Sequence, residues 1–299
     1  MFIFRMVRRL VLIICIVLGA IYVYDTYQSY QGTNRVSKAH TTVEQTIEEN
    51  EDTLSRWERM HRIFTFREKV EAALHQRVPR DKWVKSENIP DNAKRALVAI
   101  EDKRYYKHGA IDVLGVTRAF YVNSVAGETV EGGSTITQQL VKNITGNDAS
   151  SISRKVEEWS KAIELEFCLS KEEILESYLN IIYVGPNIYG VEMGAKYYFN
   201  KDVKDLTLEE CAFLAGINHS PNSYNPFQDT DKKSEKIKKR TKLVLDKMLE
   251  LNYISNEDYE TATSNLEKGL NFKKGDISSN NVVYSYHTDA VISRNNFRY

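Results

Sequence analysis

Cysteine is scarce in this chain. It has three among 299 residues, Cys15, Cys168 and Cys211. None forms a CxxC, and the spacing is far too wide for a zinc knuckle. Cys168 and Cys211 sit among apolar residues in helix-like segments, as small buried hydrophobes do. That argues against a disulfide scaffold, without excluding an oxidising compartment. Net charge is also missing, with 41 basic residues against 41 acidic. Nothing global points to nucleic acid, so any electrostatic role must be local. Strand-like alternation and internal repeats are lacking too, and apolar periodicity is helical almost throughout Arg62 to Ile217. The composition, 27% charged and 42% hydrophobic, supports one sizeable core. The expected fold is mainly α.

One long apolar run stands out, LVLIICIVLGAIYVY at 10–24. Arg5, Arg8 and Arg9 precede it, and Tyr22, Tyr24 and Tyr27 lie at its far end. As a helix it spans roughly 22 Å, short for a bilayer core of roughly 30 Å and similar to a signal-peptide apolar region. Bulky Ile21, Tyr22, Val23 and Tyr24 make a poor cleavage site. Snorkelling arginines and interfacial tyrosines lengthen the effective span. The reading is an uncleaved anchor over 10–27 after a cytoplasmic segment, 1–9. The positive-inside bias then places the rest outside the cytoplasm, as a single-pass protein of the cell membrane. Residues 28–60 are polar and read as a stalk or linker.

Further along, Ser170 with Glu173 and Thr207 with Glu210 have capping-box spacing before apolar runs. The first helix is expected to end near Gly185-Pro186. SPNSYNP, 220–226, is a loop. KKSEKIKKRTKLVLDKMLEL, 232–251, is a basic helix with an apolar face. Its charges are either solvated or set against anionic lipid headgroups. The last 45 residues carry weak signals.

Three segments carry candidate chemistry. On a helical wheel, Ala93, Ala96, Leu97 and Ile100 form an apolar stripe. Glu101 lies at its edge and Asp102 on the opposite side. A partly desolvated carboxyl favours its protonated form, which suits a general base; a solvated acidic helix end is the alternative. Next, EGGSTITQQLVKN at 131–143 offers a glycine turn. Ser134, Thr135, Thr137, Gln138, Gln139, Lys142 and Asn143 follow, a set fit for a ligand rich in oxygens or for a plain polar helix start. It lacks the lysine of a nucleotide-binding phosphate loop, because Gly133 stands there. Third, in SISRKVEEWSKAIELEF at 151–167, Ile152, Val156, Trp159, Ile163 and Phe167 form the expected core stripe. Arg154 and Glu158 share another face, as a surface ion pair or the wall of a cleft.

EDKRYYKHGAID, GGSTITQQLVKN, RKVEEWSKAIELE, KEEILESYLNIIYVG, and GVEMGAKYYFNK with LTLEECAFLAGINHSPNSYNP occur in that order. This set resembles the peptidoglycan glycosyltransferases (glycosyltransferase family 51), which include monofunctional transglycosylases and the N-terminal halves of class A penicillin-binding proteins. The resemblance covers roughly 80–250. It implies a lysozyme-like, two-lobed glycosyltransferase domain, placed at 61–252, behind a single N-terminal transmembrane helix. The implied reaction joins lipid II into glycan: a 4-hydroxyl attacks the donor's anomeric carbon with inversion, and polyprenyl diphosphate leaves. By the resemblance Glu101 is the base and Glu158 the second essential acid, with a divalent ion, Mg or Mn, allowed at Glu158 but not obligatory. Lys142, Arg154 and Lys155 neutralise the diphosphate. Asp102, Ser134, Thr135, Gln138, Gln139 and Asn143 line the substrate site. Residues 113–126 belong to a lobe that dips into the bilayer, or else to the core. The implied partners are lipid II, the growing glycan strand, the membrane and other cell-wall synthesis proteins, with no nucleic acid.

Three positions depart from the family pattern: Tyr105 for Phe, Ala110 for Gly, and Asn200 for Gly in YFNK. Two other classes compete, a non-catalytic glycan- or lipid II-binding protein and a lytic, lysozyme-like hydrolase. The segment NNVVYSYHTDAVISR, 280–294, resembles the linker toward a transpeptidase half. No SxxK, SxN and KTG set follows, so 253–299 reads as a tail or as the start of a linker in a truncated bifunctional chain.

Overall fold

The computed structural model describes residues 56–128, 132–146, 152–185, 188–227 and 231–276. The expected anchor at 10–27, the stalk up to 55 and the segment 280–294 lie outside the described residues. Among the described residues no helix is long and apolar enough to cross a membrane.

Ten α-helices carry the described fold. They are α1 (Arg56–Arg77), α2 (Asp91–Glu101), α3 (Val113–Ala126), α4 (Ile136–Thr145), α5 (Ile152–Cys168), α6 (Lys171–Ile181), α7 (Val191–Phe199), α8 (Leu208–Ile217), α9 (Asp231–Glu250) and α10 (Asn256–Lys268). Helix α8 is the axis: every residue from Glu209 to Ile217 is buried. Helices α2 and α9 pack against it, and α10 closes over α8 and α9. On the other side α4 packs on α5 and α6, and α1 lies across all three. The apolar face of the basic helix α9, Ile237, Val244, Leu245 and Met248, is buried.

Both capping boxes form at the signalled positions. Ser170 accepts from Glu173 N, and Glu173 returns the bond to Ser170 N at 2.8 Å. Glu210 accepts from Thr207 N at 2.9 Å and also holds Lys201 at 2.8 Å. Helix α6 stops at Ile181, before the expected Gly185-Pro186. The chain turns there into a short antiparallel pair, β1 (Tyr183–Gly185) and β2 (Ile188–Tyr189). Gly190 then opens α7 at φ 80°, where a Cβ would lie 2.4 Å from Asn180 O, so only glycine fits.

Helix α5 departs from its expected core stripe. Ala162, Leu165 and Leu169 are buried, while Ile163 is 43% and Phe167 76% exposed. The buried line contains Glu158, one position before Trp159, so the helix is turned about 100° from the apolar count. The rotation brings Lys155 and Glu158 toward α4, where Lys155 reaches Ser134 and Gln138. Polar pairing therefore set the helix face at the expense of two apolar side chains.

Candidate active site

The site is assembled where α2, α4, α6 and α8 converge. Glu101 is the last residue of α2 and is half-buried, as its place at the stripe edge implied. Gln139 Nε2 on α4 donates to Glu101 Oε2 at 3.0 Å. Asn218 Nδ2, at the C-cap of α8, donates to Oε1 at 3.2 Å and also reaches the Tyr178 hydroxyl at 3.1 Å. That hydroxyl, fully buried on α6, donates to Gln139 Oε1. Burial, with the Glu101 charge beside it, pushes the Tyr178 pKa well above the usual phenol value, so its proton is kept for that bond.

Asp102 is not on a solvated side. The chain leaves the helix there, with φ −153° and ψ 71°, so a wheel continued past Glu101 misplaces it. Asp102 is buried; Oδ1 pairs with His108 Nε2 at 2.8 Å and Oδ2 accepts from Ile136 N at 3.1 Å. It thus ties the first motif to the N-terminus of α4. His108 Nδ1 lies against Gly109 O at 2.5 Å. Burial opposes the charged ring, but bonds to Asp102 and Gly109 outweigh it, and the His108 pKa is raised.

The second acid has different neighbours. Glu158, on α5, is buried, with Arg154 Nη1 on Oε2 at 2.8 Å and Lys155 Nζ on Oε1. Lys155 also reaches Ser134 Oγ at 3.1 Å and Gln138 Oε1 at 3.3 Å. Thr135 and Gln138 are buried. Thr135 caps α4, and both donate to Ala110 O, at 2.7 and 3.1 Å. They hold the loop at Ala110 against α4, and their own polar groups are taken. Lys142 is exposed and Asn143 half-buried on the last turns of α4. Each Glu158 oxygen meets a cation, and among the described residues no group of three or more His, Cys, Asp or Glu side chains could hold a metal ion.

The three departures from the family pattern are accommodated. Tyr105 is buried and donates its extra hydroxyl to Lys171 O at 2.6 Å. Asn200 adopts φ 52° at the C-cap of α7, a left-handed conformation asparagine tolerates. Ala110 is not among the described non-glycine residues with positive φ, which are Asn200 and Asn252. Tyr178, Asn218 and His108 were not singled out from the sequence. Tyr178 and Asn218 reach their partners through the fold, Glu101 and Asn218 being 117 positions apart, whereas His108 pairs with Asp102 within one loop.

Two acids thus sit in unlike surroundings on a mainly helical frame, Glu101 among neutral amides and Glu158 between two cations. Residues 68–249 match the family described as Transglycosylase. The chain belongs to that family, the peptidoglycan glycosyltransferases of family 51. It is 44% identical over 213 residues to penicillin-binding protein 1A of Clostridium botulinum (strain Langeland), covering 69% of this chain and 26% of the relative. Penicillin-binding protein 1A of Clostridium perfringens (strain 13) is 46% identical over 195 residues, 63% of this chain and 29% of the relative. Penicillin-binding protein 1F of Bacillus subtilis is 42% identical over 211 residues, 71% and 28%. The matched segment thus spans little more than a quarter of these relatives. The crystal structure of penicillin-binding protein 1A from Haemophilus influenzae aligns with 53% of this chain and 20% of its own, at 28% identity and a TM-score of 0.32.

Proposed function

We propose that this domain polymerises lipid II into β-1,4 glycan, with Glu101 as general base. The carrying observation is the contrast between the two glutamates. Glu158 is neutralised by two cations. Glu101 is held by neutral amides only, Gln139 and Asn218, which fix it without supplying positive charge. A base needs a carboxylate that is oriented yet not already paired with a cation. In the step, the acceptor 4-oxygen bonds to the donor's anomeric carbon, and its proton passes to Glu101. The anomeric C–O bond breaks, and the electron pair leaves with the polyprenyl diphosphate. Arg154, Lys155 and Lys142 offset the charge that builds there. Glu158 keeps Arg154 and Lys155 in place, and no step requires a metal.

The lysozyme-like, two-lobed arrangement, the single anchor at 10–27 and an extracytoplasmic domain belong to the same reading. So does a membrane-dipping α3. Phe120, Tyr121 and Val125 on that helix are 62%, 70% and 72% exposed, an apolar face suited to a substrate with a lipid tail. The test is lipid II polymerisation by Glu101→Gln. Turnover is expected to fall about 10²–10⁴-fold; wild-type turnover would remove Glu101 from the role. Incubation with purified glycan strands separates this reading from a lytic hydrolase, which would cleave them.

A further inference from the structure

We infer that Asn218 and Tyr178 are positioning residues for the base, closing a directional ring of hydrogen bonds around the Glu101 carboxylate. The inference rests on Glu101 being that base. The ring runs from Tyr178 OH to Gln139 Oε1, from Gln139 Nε2 to Glu101 Oε2, and from Asn218 Nδ2 to both Glu101 Oε1 and Tyr178 OH. Each donor has one sense that satisfies it. A carboxylate only accepts, so both amides must present NH₂ to it. Gln139 is then left with its carbonyl toward Tyr178, and the phenol must donate.

The four members come from four different helices, or their ends. Glu101 ends α2, Gln139 is on α4, Tyr178 on α6, and Asn218 follows α8, whose last nine residues are buried. A side chain that ends a free helix turn would otherwise sample several rotamers. Here each carboxylate oxygen accepts one bond, which fixes the plane of the group. About two of its four lone-pair sites remain for an incoming hydroxyl. The groups facing Glu101 from α4, α6 and α8 are the neutral Gln139, Tyr178 and Asn218. Its neighbour Asp102 is directed elsewhere, into His108 and the α4 N-terminus. The ring therefore orients the base without neutralising it, unlike the cations on Glu158.

A ring breaks at any member, so its losses should not multiply. Asn218→Ala and Tyr178→Phe in the full-length protein should each lower kcat for lipid II polymerisation about 10-fold with KM within about twofold. The double variant should fall no more than about twofold below the worse single. Asn218→Asp keeps the size but sets a second carboxylate against Glu101, and should cost about 100-fold. Thermal unfolding of each variant shows whether the folded fraction is unchanged. The inference is overturned if Asn218→Ala keeps wild-type kcat while Glu101→Gln is inactive. It is equally overturned if the two single losses multiply, or if lost activity tracks lost folded protein. Should Glu101→Gln itself be active, the base assignment fails first, a result distinct from any of these.

Discussion

Asp102 and Glu101 are adjacent in the chain and unlike in surroundings. One backbone angle separates them. Glu101 keeps its helical place and was legible from periodicity, while Asp102 falls past the helix end, where no wheel applies. The Asp102–His108 pair gives a pH-dependent expectation. The folded His108 pKa lies above its usual value, with Asp102 and the Gly109 carbonyl raising it and burial and Lys171 opposing. Its contribution is therefore complete below the unfolded value of about 6.5 and is lost as pH rises through the higher folded one. The difference in urea midpoint between wild type and His108→Gln should hold level below about pH 6 and shrink from there to about pH 8.5; a constant difference over the whole range would refute the charged pair. Glu158→Gln removes the carboxylate that Arg154 and Lys155 share. Because Glu158 is buried, chemical denaturation should show a loss of about 2–3 kcal/mol, reduced because Lys155 is a third exposed. Asn218 and Tyr178 gave no local signal at all: their meaning lies in contacts across 117 and 39 positions.

Helix starts were the most legible elements, because a capping box is a short-range exchange of two hydrogen bonds written in four residues. Ser170→Ala should lower stability by about 1 kcal/mol, read from denaturant unfolding, with no change in the reaction's KM. The orientation of α5 was not legible. Counting apolar residues favoured the face with Ile163 and Phe167, and the ion pairs of Glu158 turned the helix away from it. Glu176 and Asn180 on α6 have a similar hidden role. They bind Trp83 Nε1 at 2.6 Å, Ser86 N and both polar groups of Val84, and so fasten the chain entering α2. For α3 the prediction concerns surfaces. Replacing Phe120, Tyr121 and Val125 by Ser should weaken binding to anionic vesicles at least about 10-fold while leaving the thermal midpoint unchanged. Unchanged vesicle binding would place the membrane contact elsewhere.

For the whole molecule, a mainly helical domain with one core was legible from period and composition alone. The last described stretch was not, since 270–276 has no period to read. It is ordered by docking: Lys273 N donates to Tyr198 O at 2.9 Å and Gly275 N to Tyr197 O at 3.1 Å. Phe272 meets Phe213 at 5.0 Å and Phe199 at 5.5 Å. Phe272→Ala should lower stability by about 1–3 kcal/mol, measured by denaturant unfolding, because the ring is only partly buried. This docking has a geometric consequence for everything downstream. The chain does not depart from the end of α10; it is stitched across the aromatic edge of α7 and α8 first. Gly275 thus has a fixed address on the body, and the reach of any chain beyond Asp276 is counted from there, not from Gly269.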